Sequence, residues 1–92
     1  MRADDIMEEG REAITDRAKT RDQPTGERSM ARCVAIFNAW TNHKLSEADG
    51  WRLMISLKQA REIQGEPHRD DYVDMSSYPA LLGECVLREH NS

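Results

Sequence analysis

Several familiar chemistries are absent from this 92-residue sequence. It has two cysteines, Cys33 and Cys85, with no CxxC and no Cys/His pair at zinc spacing, so a structural zinc site and a disulfide scaffold are both excluded. Each cysteine stands among apolar residues, which predicts two buried free thiols. Glycine-rich phosphate loops, GxSxG and HExxH are missing, and the serines lack any context that would activate them. No apolar run approaches membrane-spanning length, and no apolar stretch of the signal-peptide kind follows Met1-Arg2-Ala3-Asp4-Asp5. The expectation is a cytoplasmic protein with no membrane partner.

A positive excess is also lacking. Thirteen bases against 17 acids leave a net charge of −4, which argues against general nucleic-acid binding. Between Arg17 and Arg32 the balance reverses, with Arg17, Lys19, Arg21, Arg28 and Arg32 against Asp22 and Glu27; such a patch is either a solvated face or a site for phosphate or an acidic partner. Aromatic residues make up only 5 % of the chain and charged residues 33 %. A single domain of this length buries only about 60–65 % of its unfolded surface, so the core must be small.

What is present is helical periodicity. Period-2 alternation and Asn-Gly or Asp-Gly hairpin signals do not occur, and neither do internal repeats or low-complexity tracts. Residues 1–92 are expected to form one compact all-α bundle of about four helices. The first spans about Ala3 to Thr20 and carries a thin stripe of Ile6, Ala13, Ile14 and Ala18. The second spans about Glu27 to Thr41, with Met30, Cys33, Val34, Phe37 and Trp40 on its apolar side, and closes at Asn42-His43-Lys44. The third starts at the Ser46 N-cap, with Asp49 placed for a capping box, and runs to about Gln64 with Trp51, Met54, Ile55, Leu57 and Ala60 apolar. The fourth runs from Asp70 to about Glu89. Pro79 inside it predicts a kink or a break into two helices, because proline loses the bond to the Met75 carbonyl. Beyond it, Leu81, Leu82, Cys85, Val86 and Leu87 form an apolar surface wide enough to suggest a homodimer or another partner.

The candidate chemistry centres on His68-Arg69-Asp70-Asp71-Tyr72-Val73-Asp74. Asp71 and Asp74 are three apart and share a helix face, so together they can hold a divalent cation such as Mg²⁺, with Asp70, Glu27 or Glu84 as further ligands. The competing reading is electrostatic: acids in a first helical turn favour the positive end of its dipole, with Asp70 or Asp71 capping. Lys58 and Arg61, with Arg28 and Arg32 as a second clamp, are candidates for binding a phosphate or a partner; otherwise they form surface ion pairs with Glu62 or Glu27. Trp40, Trp51, Tyr72 and Tyr78 read as core or interface residues, or as stacking platforms for a base. His68 beside the acids is a weak ligand candidate, and His43 and His90 are weaker still.

Three blocks carry a resemblance: Gly26-Glu27-Arg28-Ser29-Met30-Ala31-Arg32 with Val34-Ala35-Ile36-Phe37-Asn38, then Leu57-Lys58-Gln59-Ala60-Arg61, then His68 to Asp74. Over about residues 10–88 the chain resembles small phage and prophage proteins of uncharacterised function. Those in turn look distantly similar to MazG-like all-α nucleotide pyrophosphatases, which cleave nucleoside triphosphates between the α and β phosphates using Mg²⁺ held by an ExxE and an ExxD pair. Asp71-Tyr72-Val73-Asp74 matches the second pair. The first is unmatched at Glu27, where Met30 occupies the position of the second acid. The resemblance therefore implies a small phage-encoded binding protein that modulates a host or defence complex, such as an anti-CRISPR-type inhibitor, through charged surfaces and without a cofactor. The alternative it implies is a Mg²⁺-dependent pyrophosphatase with a reduced site and a nucleotide substrate.

Overall fold

A computed structural model describes residues 1–21 and 29–91. Among them are four helices and no strand: α1 (Ala3–Arg21), α2 (Ser29–Thr41), α3 (Glu47–Glu62) and α4 (Arg69–His90). The all-α expectation holds. α4 is the central element, packing against α3 on one side and α1 on the other, while α2 leans on α3.

The core follows from where the apolar stripes meet. Met30 and Val34 of α2, Ala48 and Trp51 of α3, and Tyr78, Leu81 and Cys85 of α4 are buried together, with Ile14, Met54, Ile55 and Leu82 packed around them. Trp51 and Tyr78 lie tilted with ring centroids 5.7 Å apart. Gly50 is what lets α2 approach α3: a Cβ there would strike the Met30 sulfur and come within 2.8 Å of Val34 Cγ1. Gly10 plays the same part between α1 and α4, where a Cβ would collide with the Ser76 hydroxyl.

The α2–α3 connection is fixed locally. Asn42 adopts a positive φ of 58° and ends α2 in the left-handed conformation that asparagine tolerates. Asn38 accepts from Leu45 N and donates to Leu45 O, both at 2.9 Å, closing the turn. Ser46 and Asp49 then form the expected capping box, with bonds of 3.0 and 3.1 Å.

Of the two forms open for α4 around Pro79, the structure has one continuous helix and not a pair of short ones. Pro79 is exposed, so its ring and the bond it withholds face water, where the loss costs least. Two expectations need correction: Cys33 is exposed, at the open edge of a cavity that it lines with Met30, Trp51 and Tyr78, and only Cys85 is buried. The apolar surface past Pro79 is largely consumed internally: Leu81 and Cys85 are in the core, and Val86 and Leu87 remain exposed. The larger exposed aromatic surface lies on α2, where Trp40 is 84 % exposed.

Candidate functional site

The three aspartates of the sequence run separate in space. α4 begins at Arg69 after the His68 N-cap, whose side chain makes no capping bond, so neither Asp70 nor Asp71 caps the helix. Helical geometry then turns Asp71 and Asp74 toward α3 and α1, while Asp70 faces outward. Asp71 is buried at 6 % exposure.

Both inward acids meet Lys58 of α3. Its Nζ lies 2.7 Å from Asp74 Oδ2 and 3.8 Å from Asp71 Oδ1. Hydrogen bonding to Asp74 holds the Lys58 ammonium above its ordinary pKa, against the opposing pull of burial. Arg17 of α1 approaches Asp74 Oδ1 from the other side at 3.4 Å, and its guanidinium sits 5.2 Å over the Tyr78 ring. Two cations and two carboxylates thus form a neutral cluster at the junction of α1, α3 and α4. Arg17 was legible in the sequence only as one member of the basic run; its pairing depends on how α1 lies against α4.

Of the other candidates, Arg61 is exposed one turn beyond Lys58. Glu62, a suggested ion-pair partner, instead accepts from the Tyr72 hydroxyl at 3.2 Å, which raises the Tyr72 pKa. Arg32 is exposed on α2. Glu27 and Arg28 lie outside the described residues.

The outward acid, Asp70, belongs to a different surface. It lines a shallow groove with Glu9, Glu12 and Asp16 of α1 and with Arg69. An adjoining depression adds Asp5 and Glu8. Arg69 bridges the helices by pairing with Glu9, donating from Nε at 2.8 Å. Glu8 pairs with Arg11 at 2.7 Å, which holds its carboxyl below the usual range. With Glu8 paired to Arg11 and Glu9 to Arg69, the lining still carries an excess of carboxylates. The sequence signal was available in Glu8-Glu9-Gly10-Arg11-Glu12, whose spacing puts Glu9, Glu12 and Asp16 on successive turns of one face.

Asp71 and Asp74 are already neutralised by Lys58 and Arg17. Among the described residues no three His, Cys, Asp or Glu side chains converge on one metal position. None of the described helices is long and apolar enough to cross a membrane.

Residues 5–86 match the family described as a domain of unknown function, DUF6378, and the chain belongs to that family. No curated protein and no solved structure matches it.

Proposed function

We propose that this member of a family without an assigned activity is a small, cofactor-free binding protein whose acidic α1–α4 face docks on a basic surface of a larger complex. The observation that carries the reading is the division of the aspartate run. Asp71 and Asp74 are spent internally on Lys58 and Arg17. Asp70 joins Glu9, Glu12 and Asp16 on an exposed groove with an excess of carboxylates. A concentrated negative face competes with nucleic acid for a basic groove and speeds encounter by long-range attraction. The class of partner suggested by the resemblance to phage proteins is a host or defence complex in the cytoplasm of an infected bacterium, inhibited in the anti-CRISPR manner.

The second reading is a MazG-like, Mg²⁺-dependent nucleoside triphosphate pyrophosphatase. One observation favours it: Glu9 and Glu12 have the ExxE spacing sought at Glu27, and they face Asp70 across the groove. Asp71 and Asp74 are already paired with Lys58 and Arg17, and on that ground the binding reading is preferred.

The test is displacement of labelled DNA or guide RNA from purified CRISPR effector complexes, read by fluorescence polarisation. The binding reading expects saturable displacement that weakens with added salt and is lost in Glu12→Lys/Asp70→Lys. Displacement unaffected by that charge reversal would defeat it, as would pyrophosphate release from a nucleoside triphosphate.

A further inference from the structure

α2 has two apolar stripes, and the fold uses one. Met30 and Val34 are buried against α3 around Gly50. Cys33, Ile36, Phe37 and Trp40, spaced i, i+3, i+4 and i+7, occupy an adjacent face directed outward. Trp40 is 84 %, Ile36 69 % and Phe37 36 % exposed, and Cys33 is exposed too. From Cys33 to Thr41 there is no charged side chain, in a sequence that is 33 % charged.

We propose that this stripe is the seam at which a second copy of the chain docks, α2 against α2, antiparallel across a two-fold axis. Charge selects the occupant. Each copy carries −4, so two copies repel over most of their surface and can meet without like-charge opposition along this neutral strip. Area agrees. The four side chains expose roughly 400 Å² per copy, judged from the areas that aromatic side chains bury. Two copies then supply roughly 800 Å² of apolar centre, and a polar rim brings the total to the lower bound of a stable interface, about 1,200 Å².

The symmetry fixes a register. In an isologous contact centred between Ile36 and Phe37, Ile36 meets the second copy's Phe37, and Cys33 meets the second copy's Trp40. The two Cys33 residues are then about 10 Å apart along the axis, too far for a disulfide, whereas residue 36 lies near its own symmetry mate. The seam is on α2, so it leaves the acidic groove of α1 and α4 free, and it stands independently of the proposed function.

Sedimentation equilibrium of the full chain at micromolar concentration tests the proposal. The expected mass is twice 10.6 kDa, falling to the single-chain value in Ile36→Glu/Trp40→Glu with the helical circular dichroism retained. In a Cys33→Ser background, Ile36→Cys is expected to oxidise to a covalent dimer, while the native chain does not crosslink through Cys33. A monomer throughout, or a dimer that survives the double glutamate variant, would overturn the proposal. Efficient Cys33–Cys33 crosslinking with none at residue 36 would overturn the register and with it the two-fold seam.

Discussion

Replacing Lys58 by methionine removes the cation shared by Asp71 and Asp74 while keeping most of the side-chain volume. The ammonium is 11 % exposed and lies 2.7 Å from Asp74. Breaking a buried ion pair costs about 3–5 kcal/mol, because the abandoned carboxylates stay desolvated. Arg17 still faces Asp74 at 3.4 Å and Asp74 keeps 16 % exposure, so the lower end applies, about 3 kcal/mol. For a domain of this size that lowers the melting temperature by about 15 °C. Thermal unfolding followed by far-ultraviolet circular dichroism at neutral pH measures it. Lys58→Met/Asp71→Asn/Asp74→Asn is expected to recover at least half of the loss, since the stranded charges are gone. A loss below about 1 kcal/mol in the single variant would refute the claim that the cluster is an internal, mutually neutralised unit. No recovery in the triple variant would refute it equally.

Other predictions follow from packing and titration. Gly50→Ala should destabilise by about 1–2 kcal/mol, because the new methyl meets Met30 and Val34; Gly83→Ala, whose Cβ would meet nothing within 4 Å, should stabilise α4 by about 0.5–1 kcal/mol. Both can be read by urea denaturation. Ser46→Ala removes the α3 capping box and should cost about 1 kcal/mol by the same assay. Burial, with Glu47 and Glu89 nearby, pushes the Cys85 thiol up to about 11, so the folded state holds this proton more tightly than the unfolded chain does. Lys58 is raised in the same sense. Stability is therefore retained below about pH 9 and lost as pH climbs toward 11, with up to about 3 kcal/mol from Cys85. Cys85→Val should flatten that part of the pH profile. In the Ile36→Glu/Trp40→Glu variant, where no second copy covers the stripe, a thiol reagent should label Cys33 promptly and buried Cys85 only on unfolding.

The helices were legible because their signals are local. Ser46 with Asp49, Asn42 at the end of α2, and the spacing of Met30 and Val34 all act within a turn or two. Which apolar residues are buried depends on the neighbours of a helix, and that information is not local. α2 packs mainly against α3, so Phe37 and Trp40 stay exposed although their periodicity matches Val34. Pro79 left a kinked helix and a pair of short helices both open, because whether its ring faces water is not a local property of the sequence. The site shows the same division. The spacing of Asp71 and Asp74 correctly put them on one face of α4, and Lys58 was singled out separately. That these groups neutralise one another follows only from the packing of α3 on α4. Arg17, 57 residues from Asp74 in sequence, could not be paired with it before the position of α1 was known.

The central claim is that Asp71 and Asp74 serve the fold and the outward acids serve binding. It is tested most directly by titrating Mn²⁺ into the protein by calorimetry, alone and with a nucleoside triphosphate, while assaying pyrophosphate release. The account predicts no saturable site that depends on Asp71 and Asp74 and no turnover. Saturable binding with pyrophosphate release, both abolished in Asp71→Asn/Asp74→Asn while that variant stays folded, would contradict it.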